Sequence, residues 1–152
     1  MNHHPPIHRP EIPKREITYE IADTIEITRP KEILILEDDV ALTLLLKESL
    51  ETQGYVVIVV SNGTEGLKKI MATDFSIILC DMVMPNFPGD MFYLAVERVR
   101  PRLCQRFIFM TGHKGERKIE QFIRGIRGFM LWKPFEMHVL FEAIKAVNDK
   151  HP

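Results

Sequence analysis

The chain has 152 residues, 45% of them hydrophobic, which is enough for one domain with a complete core and short for two. Its 20 Lys and Arg against 21 Asp and Glu leave a net charge of −1, without the basic excess of a duplex-binding surface, so direct nucleic-acid binding is not expected. The longest apolar runs, such as Tyr55 to Val60 and Ile77 to Cys80, are too short to span a bilayer, and the Met-Asn-His-His-Pro-Pro start lacks the blocks of a secretory signal.

Residues 1 to 30 read as an arm or linker. They carry Pro5, Pro6, Pro10, Pro13 and Pro30, and the first sixteen are expected to be disordered. His3, His4 and His8 match no structural metal spacing and read as a solvated tail. Ile17, Tyr19 and Ile21, then Ile25 and Ile27, alternate with polar residues as short strands do. The Ala22-Asp23 between them lacks the glycine that a tight hairpin favours. Cys80 in an apolar run and Cys104 in a linker read as two reduced thiols, consistent with a cytoplasmic protein.

From residue 31 to 150 the pattern becomes regular. Ile33 to Leu36 is a short apolar run ending at Glu37-Asp38-Asp39, and Val40 to Gln53 has helical spacing with Gly54 as its stop. Tyr55 to Val60 is a β-branched run, and Asn62 caps a helix through Leu67, Ile70 and Met71. Ser76 to Cys80 ends at Asp81. A helix over Asp90 to Val99 stops near Pro101, and Phe107 to Met110 ends at Thr111-Gly112. A polar helix over Glu116 to Arg124 precedes Gly128 to Leu131, which ends at Trp132-Lys133-Pro134. Phe135 to Val147 is an amphipathic last helix. Five continuous apolar runs alternating with five helices predict an α/β fold. It is a doubly wound, flavodoxin-like (βα)5 domain with a parallel sheet in the order 2-1-3-4-5.

In such sheets, ligands bind beyond the carboxyl ends of the strands. Four of the runs end there in Glu37-Asp38, Asp81, Thr111 and Lys133. Three carboxylates crowded on one rim repel, each pair by roughly 4 kcal/mol at 4 Å in a dielectric of about 20. A divalent cation relieves this, and hard oxygen donors suit Mg²⁺. With an ammonium and a hydroxyl beside it, Asp81 is placed to act as a nucleophile toward a phosphoryl group.

These residues resemble the receiver domain of two-component response regulators, of the kind that regulates chemotaxis, over about residues 31 to 150. The motifs are Ile-Leu-Ile-Leu-Glu37-Asp38, Asp81-Met-Val-Met84-Pro85 with Gly89, Phe-Met-Thr111-Gly112 and Lys133-Pro134-Phe135. The resemblance implies that Asp81 is the phosphoacceptor. It makes Asp38 a direct Mg²⁺ ligand, Glu37 its partner acting partly through water, and the Val83 carbonyl a further ligand. Thr111 would then hydrogen-bond the phosphoryl group and Lys133 would pair with it across a cis Lys133-Pro134 bond. Asp39 would be a bystander, and Gly89 would merely let the next helix start.

By the same resemblance, a histidine kinase or histidine phosphotransfer protein is the donor, and a downstream protein reads the switched face. No turnover of a separate substrate is expected beyond self-phosphorylation and slow dephosphorylation, since an apolar Val83 orients no water; His113 near the mouth either tunes that rate or is a plain surface residue. The position usually held by Tyr or Phe is Met130, with Phe129 beside it, which puts the aromatic switch in doubt. Trp132 is either a partner contact or packing. The sequence ends at Pro152, so the output is expected to be protein contact, onward phosphotransfer or a domain outside this sequence, and dimerisation is left open. The competing readings are a pseudo-receiver that serves as a constitutive interaction module and an aspartyl-phosphate phosphatase. The phosphatase reading is disfavoured because its Asp-x-Asp motif is missing from the first run.

Overall fold

Each apolar run becomes a strand of one sheet in the computed structural model, which describes residues 29–112 and 115–152. In chain order the elements begin with β1 (Glu32–Leu36), α1 (Val40–Thr52), β2 (Val56–Val60), α2 (Gly63–Ala72) and β3 (Ile77–Asp81). They continue with α3 (Gly89–Val99), a short 3-10 helix (Pro101–Arg106), β4 (Phe107–Thr111), α4 (Arg117–Ile126), β5 (Phe129–Trp132) and α5 (Met137–Lys150). All strand pairs are parallel, and the order is β2-β1-β3-β4-β5, as the run-and-helix alternation predicts.

The two-residue period of the strands sorts their side chains onto two covered faces. Ile33, Ile35, Ile77, Leu79, Ile108, Met110 and Leu131 pack under α1 and α5, against Leu46, Leu50, Leu140 and Ile144. Leu34, Leu36, Ile78, Cys80, Phe107 and Phe109 face α2, α3 and α4. On that second face Tyr93 meets Phe107 and Phe122 edge-on, and Phe109 meets Phe122 edge-on as well.

Local chemistry sets the helix ends. The Asp39 carboxylate accepts the Leu42 N–H at 3.0 Å to start α1, and Asn62 accepts the Glu65 N–H at 2.9 Å to start α2. After α1, Gly54 takes φ +89, the left-handed turn that a side chain would strain.

Residues 101 to 106 are more than a linker. Pro101 ends α3 but suits the first turn of a helix, and the 3-10 helix it opens buries Leu103 and brings Cys104 against Tyr93. The last helix begins at Met137 rather than Phe135 and runs to Lys150. Both cysteines are free thiols, and none of the described helices is long and apolar enough to cross a membrane. The expected short strands and histidines of the arm, and His113, lie outside the described residues.

Candidate functional site

The carboxyl ends of β1, β3, β4 and β5 form one rim because the strands are parallel and adjacent in the order 1-3-4-5. Glu37 and Asp38 follow β1, Asp81 ends β3, Thr111 ends β4 and Lys133 follows β5. Backbone hydrogen bonds carry the ladder past the strand ends: Glu37 N–H donates to Val60 O at 3.1 Å and Lys133 N–H to Thr111 O at 2.8 Å. The side chains are therefore held by the sheet itself.

Three of these residues meet closely. One carboxylate oxygen each from Glu37, Asp38 and Asp81 lies within 4.8 Å of the other two. Glu37 and Asp81 are only 2% and 5% exposed, whereas Asp38 faces solvent. The Lys133 ammonium donates to Glu37 Oε2 at 2.5 Å and to Asp81 Oδ2 at 3.1 Å, spanning the two buried acids. Thr111 is fully buried at the end of the neighbouring strand. The Lys133-Pro134 peptide is cis, as the sequence led us to expect.

Burial raises the Glu37 carboxyl above its ordinary range; the Lys133 and Asp39 hydrogen bonds offset this only in part, and the Asp81 charge adds to it. Burial would lower the Lys133 ammonium, but its bonds and charge attraction to Glu37 and Asp81 outweigh that and raise it. One cation thus serves two buried acids, and a third carboxylate stands beside them with no cationic partner among the described residues.

The donor set fits a hard divalent cation. Both oxygens of Glu37 are engaged, Oε1 by the Asp39 N–H at 3.1 Å and Oε2 by Lys133. Asp81 Oδ1 accepts the Val83 N–H at 3.0 Å. Asp38 is the carboxylate of the three with no hydrogen-bond partner among the described residues, and it opens to solvent. Val83, 42% exposed, stands at the mouth.

Two residues matter more than the sequence suggested. Asp39 stays outside the acidic cluster, at the helix start as expected, yet it has a role there: it caps α1, and its N–H fixes the Glu37 carboxylate. Gly89 does more than admit α3, because a Cβ there would lie 2.6 Å from the Asp81 carbonyl oxygen and 2.9 Å from Met82 Cα. Met130 packs on the α4 face beside Phe109, its register partner, while Phe129 packs on the α1 and α5 face. Only Met130 therefore occupies the place of the expected aromatic. Trp132, the register partner of Thr111, is half-buried.

Comparison with known proteins agrees with this geometry. The family model described as the response regulator receiver domain matches residues 33–145. The response regulator ArlR of Staphylococcus haemolyticus is 30% identical over 121 residues, covering 79% of this chain and 53% of that protein. The transcriptional regulatory protein GlrR of Escherichia coli is 26% identical over 117 residues, 76% of this chain and 26% of that protein. The chain thus spans from about a quarter to about half the length of these relatives. Among solved structures, a CheY-like receiver domain protein from Methanospirillum hungatei superposes with a TM-score of 0.73 at 29% identity, covering 80% of this chain and 96% of that one.

Proposed function

The chain belongs to the family of response regulator receiver domains, and on that footing we propose that it is a phosphorylatable switch in a two-component relay. Asp81 is the acceptor. Its carboxylate oxygen attacks the phosphorus of a phosphohistidine on a histidine kinase or phosphotransfer protein, the phosphorus–nitrogen bond breaks, and the imidazole leaves with the electron pair. The product is an acyl phosphate on Asp81.

The observation that carries this reading is the meeting of Glu37, Asp38 and Asp81 within 4.8 Å, with one ammonium shared by two of them. Asp38 and Asp81, the Val83 carbonyl, and Glu37 through water would hold Mg²⁺, which when bound neutralises charge on the transferring oxygens. Lys133 stays on the Asp81 side and pairs with the incoming phosphoryl group. Thr111 hydrogen-bonds the same group and moves its loop toward it. The face formed by α4, β5 and α5 then changes for a downstream protein. Moving such an equilibrium from 1:99 to 99:1 takes about 5.5 kcal/mol, within the range of a buried ion pair with a few hydrogen bonds. With Val83 at the mouth, water is poorly oriented and self-dephosphorylation is slow. We assign the cytoplasm as the compartment, where such a donor operates.

A pseudo-receiver is favoured by one observation, the thioether of Met130 in place of an aromatic ring on the α4 face. The two readings separate when the chain is incubated with acetyl phosphate and Mg²⁺ and weighed intact. A switch gains the mass of one phosphoryl group; a constitutive interaction module gains nothing.

A further inference from the structure

At the pole opposite Asp81, below the amino ends of β1, β3 and β4, lies a cavity of about 690 Å³, a size suited to a small-molecule ligand. Its wall holds the side chains of Arg29, Lys31, Arg102 and Arg106, none with a carboxylate partner among the described residues. A fifth cation, Arg100, is already committed: it pairs with Asp74 and donates to the Ile70 carbonyl at 2.9 Å, answering the carbonyl end of α2. Besides Asp74 the only acid in the wall is Glu32, so the cavity carries a clear positive excess in a chain of net charge −1.

The four uncommitted cations come from two sides. Arg29 and Lys31 lead into β1, while Arg102 and Arg106 belong to the 3-10 helix that leads into β4. Those strands flank β3, so the two groups start two strand spacings apart, roughly 10 Å. Backbone contacts fix both walls. Ser76 donates its N–H at 2.9 Å and its hydroxyl at 3.1 Å to the Glu32 carbonyl, and Arg100 ties the start of the 3-10 helix to the end of α2. Phe75 and Leu103, 2% and 6% exposed, close the floor but present almost no apolar surface to a ligand.

A site of this kind recognises charge rather than hydrocarbon. Guanidinium groups favour phosphate, whose oxygens they grip with paired N–H donors. One phosphate offers a single charged centre, whereas a chain of two or three offers one to each wall. We propose that this cavity binds a linear oligophosphate, one end on Arg29 and Lys31 and the other on Arg102 and Arg106. The site is separate from the acidic rim and needs neither Mg²⁺ nor phosphorylation of Asp81.

Calorimetric titration of the full chain in Mg²⁺-free buffer tests this. Tripolyphosphate should bind one to one, and more tightly than orthophosphate by roughly tenfold or more, the worth of one added charge-assisted contact. Lys31→Glu and Arg102→Glu, one on each wall, should each weaken tripolyphosphate by a similar factor. Lys118→Glu, the same charge change on α4 outside the cavity, should leave it unaltered. All three side chains are exposed, so the variants should melt with the parent. ATP, which carries the same phosphate chain on a nucleoside, identifies the source. Affinity equal to that of tripolyphosphate supports a nucleotide as the ligand, and much weaker affinity supports the free oligophosphate. The proposal is overturned if tripolyphosphate gives no saturable binding, or if orthophosphate or citrate binds as tightly. Equal weakening by Lys118→Glu would also overturn it, since attraction would then belong to the whole surface and not to this cavity.

Discussion

Gly89 leaves no room for a side chain against Asp81: a Cβ on it would stand 2.6 Å from the Asp81 carbonyl oxygen. The Gly89 N–H also donates to the Met82 carbonyl at 3.1 Å, so the loop after β3 is closed on itself directly behind the proposed acceptor. Gly89→Ala must push these two backbone segments apart. Overpacking of this kind costs about 1–3 kcal/mol. We expect a lower thermal midpoint together with weaker Mg²⁺ binding by calorimetry, since the displaced segment carries both Asp81 and Val83.

Asp38→Asn should separate stability from metal binding. Without Mg²⁺, Asp38 contributes repulsion toward two neighbouring carboxylates and, among the described residues, no hydrogen bond. Because it is exposed, the relief is near the water limit, about 1 kcal/mol. The variant should therefore melt a few degrees higher than the parent in chelator, yet lose the rise in midpoint that Mg²⁺ gives the parent. Thermal melts with and without Mg²⁺ check both halves.

The pH dependence follows from Glu37, whose carboxyl is raised above an ordinary value near 4.5 chiefly by burial. A carboxyl raised in the folded state binds its proton more readily there than in the unfolded chain. Its contribution to stability is complete below the unfolded value and is lost as pH rises through the folded one. The same proton competes with the cation. As pH falls toward 4.5 from above, apparent Mg²⁺ affinity should weaken earlier than an ordinary carboxylate would dictate. Glu37→Gln should flatten that part of the profile when Mg²⁺ titrations are compared across pH.

Met130→Ala tests whether the α4 face and the chemistry are separable. Met130 is half-buried against the core beside Phe109, so its truncation should cost about 2 kcal/mol. It is not part of the acidic cluster. Labelling of Asp81 by a phosphodonor should proceed at the parent rate, while the change in Trp132 emission on labelling should diminish. Loss of labelling in a folded Met130→Ala chain would tie the two together.

The alternation of apolar runs and helices was readable because buried parallel strands are continuously apolar and their neighbours periodic. The rim was readable for a related reason: Glu37, Asp38, Asp81, Thr111 and Lys133 each stand where an apolar run breaks, and the sheet order makes those breaks neighbours. What stayed hidden depends on contact rather than pattern. Nothing in the sequence says that the Asp39 N–H turns back onto Glu37. Nor does it say which of Phe129 and Met130, neighbours on one strand and so on opposite faces, turns toward α4. The 3-10 helix at 101 to 106 was masked by Pro101, which reads equally as the end of one helix and the start of another. The basic cavity was invisible because Lys31, Arg102 and Arg106 are scattered along the chain and meet only through the fold.

The central claim is that Asp81 accepts a phosphoryl group with a divalent ion in the acidic rim. Its most direct test compares the intact chain and Asp81→Asn, each incubated with acetyl phosphate with and without Mg²⁺, by the mass of the whole protein. We expect one added phosphoryl group on the parent in Mg²⁺ alone, and none on Asp81→Asn under either condition. Equal labelling of Asp81→Asn, or labelling of the parent that ignores Mg²⁺, would contradict it.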